Sequence, residues 1–381
     1  MRKVINRNVV LLGLTSFFTD VSSEMIMKVF PLFLETMGAG GAIIGVIEGV
    51  AESVSSLLKI LSGYFSDRFK RRKWIAFTGY LESAITKIFL LFISTPYGAF
   101  WVRSIERIGK GIRTSPRDAL ISSYTNEKNR GLYFGFHRAM DTFGAVMGPF
   151  LGIFILRKFG LNNFKIVFKF SLIPAFLAIF IMFFVKEKEF KSILKEVKSN
   201  SKFSLGKRFY FYIFAVTLFT IGNSSDAFIT IYAGTFNVAS TTILFMWTIH
   251  ALVYAAFSTP LGALSDRIGR KKTIILGYIV YGISYLGFAL TRNASFLYLV
   301  FIVYGIYYAF SEGAQKAFVA DLVTDEFARG TAYGIYNFGV GIMAFPASLI
   351  AGFLYQYVVP QAPFYLGGII AIISSFLIIF V

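Results

Sequence analysis

Gly63-Tyr-Phe-Ser-Asp67-Arg68-Phe-Lys70-Arg71-Arg72-Lys73 is a short basic stretch set between two long apolar segments, and the chain contains it twice. The second copy, Gly262-Ala-Leu-Ser-Asp266-Arg267-Ile-Gly269-Arg270-Lys271-Lys272, follows 199 residues later. Glu127-Lys-Asn-Arg130-Gly131 and Glu326-Phe-Ala-Arg329-Gly330 keep the same spacing. Two landmarks with one offset in a chain of 381 residues make its halves structural repeats. Thr15 to Glu24 and Thr217 to Asp226 form a third pair, offset by 202, which a three-residue indel explains. An apolar protein built this way is most often a transporter, with its binding site between the halves.

Composition agrees. The chain is 56% hydrophobic and 15% charged, where a soluble protein carries about 25% charged residues. Apolar stretches long enough to span a bilayer recur throughout, which excludes a soluble enzyme or binding domain. The net charge of +18 suggests nucleic acid until the basic residues are located. Most sit in short loops between spans, the positive-inside signature, so no nucleic-acid partner is expected. There is no cysteine, which excludes disulfides and thiolate chemistry. Met1 to Arg7 is basic and runs into a retained first span with no cleavage site.

Twelve spans are predicted, at about 8–36, 42–66, 74–94, 96–121, 131–157, 164–185, 207–235, 240–264, 273–292, 294–321, 331–357 and 362–381. Residues 1–185 form an N-terminal six-helix bundle, 186–206 a cytoplasmic linker, and 207–381 a C-terminal six-helix bundle. The basic loops place both termini in the cytoplasm of a prokaryotic cell, with the chain multi-pass in the cytoplasmic (inner) membrane.

The doubled loop resembles the G-x-x-x-D-R-x-G-R-[RK] signature of the major facilitator superfamily, and the resemblance extends over all twelve spans. It implies an all-α integral membrane fold of twelve transmembrane helices in two pseudo-symmetric six-helix bundles. It also implies that Asp67 and Asp266, introduced by Gly63 and Gly262, cap a neighbouring helix and pair with arginine, Arg71 and Arg270 being the motif arginines. Arg68, Glu127 and Arg130 are expected beside the first copy, and Arg267, Glu326 and Arg329 beside the second. Lys70 replaces the usual glycine, so the first turn cannot rely on a left-handed glycine. Gly144-Ala-Val-Met-Gly148-Pro149-Phe-Leu-Gly152 in the fifth span resembles the family's antiporter motif. Physically, its small residues allow close helix approach and its proline a bend. Arg107-x-x-Lys110-Gly111 in the fourth span resembles R-x-x-Q-G, whose arginine is implicated in proton coupling, with lysine in place of glutamine.

At 100° per residue, Arg103, Arg107, Lys110, Arg113 and Arg117 fall within about 120° of one another. An arginine at mid-bilayer costs at least about 2.5 kcal/mol, so this face looks into protein or water. Asp20, Glu24 and Lys28 ascend one face of the first span, and Glu48, Glu52 and Lys59 one face of the second. Glu82 and Lys87 lie in the third span, and His137, Arg138 and Asp141 in the fifth. The second half offers Asn223, Asp226, His250, Glu312, Lys316 and Asp321. Two readings stand side by side: ion pairs that hold the first half rigid, or carboxylates that exchange protons beside bases that receive an anion. Glu24, Glu48, Glu52 and Asp141 are the proton-site candidates. His137 and His250 lack metal-ligand spacing, so no metal is expected. Most aromatic residues are expected at lipid, helix contacts or interfaces, with a cation–π cage conceivable around Trp247, Tyr254 and Tyr304.

These observations predict a secondary active transporter that moves a small solute by alternating access, with proton-coupled efflux (antiport) favoured. Uptake or exchange of an anionic, phosphorylated or carboxylated metabolite is the first alternative, and a sensor on a transporter scaffold the second. No nucleotide-binding loop or catalytic triad is present, so neither enzyme activity nor a cofactor is expected. The expected partners are substrate, protons and membrane lipid, with the protein a monomer.

Overall fold

The computed structural model describes residues 5–27, 29–38, 41–160, 163–187, 205–223, 226–236, 238 and 240–381. Among these there is no strand. The helices are α1 (Arg7–Met27), α2 (Phe30–Thr36), α3 (Gly41–Phe69), α4 (Arg72–Phe89), α5 (Pro96–Ser123), α6 (Arg130–Phe159) and α7 (Phe164–Phe183). They continue as α8 (Gly206–Gly222), α9 (Asp226–Gly234), α10 (Ser240–Ile268), α11 (Arg270–Leu290), α12 (Ala294–Leu322), α13 (Arg329–Tyr357) and α14 (Ala362–Ile379). A 3-10 turn, Glu326–Ala328, leads into α13.

Each predicted span is present, but the first and seventh are each two helices rather than one. In the seventh, α8 stops at Gly222, and the Asn223 N–H turns back to the Phe219 and Thr220 carbonyls. Gly and Asn are weak helix formers, and asparagine competes for backbone hydrogen bonds. Asp226 then opens α9, where its charge complements the helix N-terminus. Among the described residues, seven segments are long and apolar enough to cross a bilayer by composition alone: α1, α6, α7, α11, α12, Glu326–Tyr357 and α14. α5 carries Arg103, Glu106, Arg107, Lys110, Arg113, Arg117 and Asp118, so its case rests on burial of those ions. Phe92, Phe154 and Phe345 are 75%, 64% and 72% exposed, a lipid-facing surface rather than a watery one.

The chain divides into two compact units. The first comprises Met1–Asn126, Gly144–Lys207 and Val319–Phe338; the second comprises Glu127–Phe143, Arg208–Phe318 and Gly339–Val381. Within the first, α5 is wedged between α3 and α4 with little side-chain padding. A Cβ on Gly109 would lie 2.6 Å from the Gly79 carbonyl oxygen, and one on Gly111 would lie 2.7 Å from that of Ser55. Thr95 caps α5 by accepting the Gly98 N–H at 3.1 Å, with Pro96 at the first helical position. Val21, Met25, Phe30, Phe33, Val167 and Phe168 pack α1, α2 and α7 together, with Phe33 and Phe168 edge to face at 5.0 Å.

The two basic loops differ in detail. Gly269 has φ +95° and Lys70 has φ +54°, so the left-handed turn is kept in the first copy although a lysine must adopt it. That backbone costs about 1–3 kcal/mol for a residue with a Cβ. The first loop is also one residue longer: α3 and α4 are separated by Lys70 and Arg71, α10 and α11 by Gly269 alone.

The start of the expected linker is tied to α4. Glu187 accepts the Lys73 N–H at 2.9 Å, and Lys73 Nζ donates to the Phe183 carbonyl at 2.9 Å. Tyr124 donates its hydroxyl to the Lys186 carbonyl. Burial pushes the Glu187 carboxyl above the usual carboxylate range, against the pull of that N–H and the Arg72 charge. Residues 188–204, most of the linker, lie outside the described residues.

Candidate functional site

Each motif aspartate caps a helix from the other sequence half. Asp67 accepts the backbone N–H groups of Gly330 at 3.0 Å and Thr331 at 2.6 Å, plus the Thr331 hydroxyl at 3.0 Å. Asp266 accepts those of Gly131 and Leu132, both at 2.9 Å. These N–H groups belong to the first turns of α13 and α6, where no intrahelical acceptor exists and an anion is favoured. An arginine supports each carboxylate, Arg72 at 3.0 Å from Asp67 and Arg270 at 2.6 Å from Asp266. Arg72 donates also to the Glu326 carbonyl, and Arg270 to that of Glu127 at 2.8 Å.

This arrangement corrects two expectations. Glu326 and Arg329 lie beside the first loop and Glu127 beside the second, the reverse of the expected pairing, because each loop docks on the repeat of its own neighbour. Arg329 pairs with Glu326 at 3.2 Å and Arg130 is buried, whereas Arg68 and Arg267 are exposed. The arginine of the first copy is Arg72 rather than Arg71, since the extra loop residue moves the start of α4 on by one. In both copies the arginine at the first helical position reaches the aspartate.

The motif glycines make the docking possible. A Cβ on Gly63 would overlap the Gly330 carbonyl oxygen, and one on Gly262 would overlap that of Gly131. Backbone cannot yield as a side chain can, so Gly262→Ala is expected to destabilise by about 1–3 kcal/mol through overpacking. Gly152→Ala, whose nearest neighbour would lie at 3.4 Å, is expected to leave the thermal unfolding midpoint close to wild type. Equal midpoints for the two variants would refute this account.

The α5 stripe is built as expected, and three of its five bases are matched by carboxylates. Arg103 meets Glu106 at 2.6 Å, Arg107 meets Glu52 at 3.5 Å and Arg117 meets Asp118 at 3.1 Å. Glu52 also holds Lys59 at 3.8 Å, and Glu106 accepts the Ser83 hydroxyl at 3.1 Å. Lys87 donates to Ser22 at 2.8 Å and Ser23 at 3.0 Å. Arg113 stacks over Tyr80 at 5.0 Å. Neither Lys110 nor Arg113 makes a direct ion pair among the described residues. Asp20 and Glu24 lie where α6 crosses α1: a Cβ on Gly144 would be 3.0 Å from Asp20 Cβ, and one on Gly148 would be 2.8 Å from Glu24 Cβ. The glycines flanking Pro149 thus make room for the acidic face. Lys28 and the Glu48 side chain lie outside the described residues.

The second unit gathers the rest. Arg138 lies 3.3 Å from Asp141, and His137 Nδ1 lies 3.7 Å from the same carboxylate. Arg138 also pairs with Glu312 and bonds the Tyr254 hydroxyl. Lys316 is one α12 turn beyond Glu312 and partly buried. Asp226 accepts the Tyr304 hydroxyl at 2.9 Å, and Tyr304 and Tyr308 share a hydrogen bond at 3.3 Å. His250 is packed between Trp247, Tyr304 and Tyr308, with centroids 5.1–5.4 Å apart. Tyr278, Tyr281, Tyr285 and Tyr304 are fully buried, with Tyr304 against His250 and Tyr281 and Tyr285 against Tyr304. No metal-binding cluster occurs among the described residues.

The family model for the Major Facilitator Superfamily matches residues 12–233 and again 211–381. The chain belongs to the Major Facilitator Superfamily. It is 40% identical over 385 residues to an uncharacterized MFS-type transporter of Methanocaldococcus jannaschii, covering 99% of this chain and 95% of that one. It is 25% identical over 361 residues to the multidrug resistance protein MdtH of Proteus mirabilis, covering 91% and 88%. The crystal structure of the human organic anion transporter MFSD10 shares its fold, with TM-score 0.81 at 18% identity over 99% of this chain and 100% of that one.

Major Facilitator Superfamily membership makes the chain a multi-pass membrane transporter with the twelve-helix fold. Sequence reasoning missed the buried tyrosine cluster of this superfamily member. Tyr278, Tyr281 and Tyr285 repeat at three and four residues, as do Tyr304, Tyr307 and Tyr308, so helical periodicity was the signal available.

Proposed function

We propose that this transporter is a proton-coupled antiporter exporting a small organic solute across a prokaryotic cytoplasmic membrane by alternating access. Residues 1–185 and 207–381 are the two moving bundles, 186–206 their linker, both termini face the cytoplasm, and the protein works as a monomer. The observation that carries the reading is Asp226. Glu52, Glu106 and Asp118 each sit against arginine, and so does Asp141. Asp226 has the Tyr304 hydroxyl and no basic partner among the described residues. A carboxylate without a counter-charge loses several kcal/mol of hydration. A hydroxyl returns about 1.5–3 kcal/mol and a helix N-terminus up to about 2 kcal/mol. Neither return is a fixed positive charge, so among the described residues no cation competes with a proton for this carboxylate. The MdtH likeness supports export.

Lys110 and Arg113 favour a second element, a substrate with an acidic group. Their nearest balancing fields come from Glu52 for Lys110, and from Glu82 and Glu106 for Arg113.

Thermal-shift screening against anionic metabolites and lipophilic cations identifies the substrate, since a ligand stabilises by mass action. In proteoliposomes, its transport should then follow an imposed pH gradient. Asp226→Asn should lose at least about tenfold of that gradient-driven transport, the equivalent of about 1.4 kcal/mol, while exchange of labelled for unlabelled substrate persists. Wild-type transport indifferent to the gradient would overturn the coupled reading.

A further inference from the structure

The longer first loop leaves one arginine over. Arg72 has taken the aspartate, and the Arg71 side chain is exposed with no hydrogen-bond or ion-pair partner among the described residues. It stands at the edge of an open groove of about 460 Å³ lined by Phe69, Arg71, Trp74, Ile75 and Thr78. Phe69 is 60% exposed and Trp74 45% exposed. Phe65 stacks on Phe69 at 5.9 Å, and Phe77 meets Trp74 edge-on at 5.7 Å, so the aromatic walls are fixed.

Three features define what fits. Among the described residues the walls are apolar, the one charge is a guanidinium, and no carboxylate lines the groove, so the occupant pairs a hydrocarbon part with an anion. The groove lies at the junction of two spans, where bilayer headgroups begin and tryptophan is favoured. The second copy lacks it, since Arg270 is bound to Asp266 and Lys272 stands at the helical position equivalent to Trp74. We propose that this groove is a binding site for an anionic phospholipid of the adjoining leaflet. The lipid phosphate pairs with Arg71, and the upper acyl chain lies along Phe69, Trp74 and Ile75. Guanidinium–phosphate pairing is planar and bidentate, so lysine substitutes poorly.

The test requires no transport substrate. Trp74, Trp101 and Trp247 are the three tryptophans. Trp101→Phe with Trp247→Phe leaves Trp74 as reporter, in bilayers of equal phosphatidylglycerol and phosphatidylcholine with bromine on the chains of one lipid. Brominated phosphatidylglycerol should quench Trp74 more than brominated phosphatidylcholine, reflecting about fivefold local enrichment of the anionic lipid. Arg71→Gln should erase that excess, and Arg68→Gln should retain it. Equal quenching by the two lipids, quenching by neither, an excess surviving Arg71→Gln, or one removed by inorganic phosphate would each overturn the assignment. Native mass spectrometry of the unaltered protein gives a second measurement. Phosphatidylglycerol adducts should persist at higher activation energy than in Arg71→Gln, and equal persistence would count against the site.

Discussion

Glu106→Ala is expected to lower stability by about 3–5 kcal/mol, the cost of leaving a buried cation without its anion. Glu106 and Arg103 are 2.6 Å apart and both side chains are less than a tenth exposed. The same carboxylate accepts the Ser83 hydroxyl and stands in the field of Arg107, Lys87 and Arg113. Its removal therefore exposes several positive charges to one another. Glu52 is a natural control. It also meets an arginine, but its side chain is 47% exposed, so Glu52→Ala should cost no more than about 1 kcal/mol. Chemical unfolding of the purified protein in detergent measures both. Similar losses for the two variants would show that the α5 stripe is not what holds α3, α4 and α5 together.

Asp67→Ala should free the start of α13, and Asp266→Ala the start of α6. Each loses a cap worth about 0.5–2 kcal/mol, and its arginine loses a carboxylate partner. Amide exchange reads this residue by residue. In Asp67→Ala the Gly330 and Thr331 amides should exchange about tenfold faster, as 1.4 kcal/mol dictates, while Gly131 and Leu132 keep wild-type rates. Asp266→Ala should show the opposite pattern. Acceleration at both places in either single variant would contradict the crossed pairing.

The offset between repeats made the fold legible, because a doubled loop between apolar segments admits few other architectures. The capping role of Asp67 and Asp266 came from the loop's resemblance to the superfamily motif. The offset could not say which helix each aspartate caps, since a constant offset relates equivalent positions, not partners. The Arg71-to-Arg72 change escaped for a related reason: alignment matched two arginines, while the helix restarted one residue later in one copy. Charge periodicity found the α5 stripe because burying ions in a bilayer is so costly. It drew the proton-site candidates Glu24, Glu48, Glu52 and Asp141 from the first half, whereas Asp226, the residue proposed for that role, stands out by its lack of a basic neighbour among the described residues. Positions 199 beyond Arg103, Arg107 and Lys110 are Ile302, Ile306 and Ala309, and an absence of charge is hard to notice in an apolar span. The tyrosines are expected at lipid, helix contacts or interfaces alike, because composition does not distinguish a buried ring from a lipid-facing one.

The glycines at 109 and 111 point to opposite sides of α5, one onto the α4 backbone and the other onto α3. Helices that touch through side chains slip past one another by exchanging rotamers. Here the Gly79 and Ser55 carbonyls lie beside the flanking Glu82 and Leu58 side chains, so main chain shares the contact on both sides. Sliding α5 along either neighbour would mean lifting it clear first. These approaches fix α5 against both neighbours, so Arg107 stays in register with Glu52 on α3 and Glu106 with Ser83 on α4.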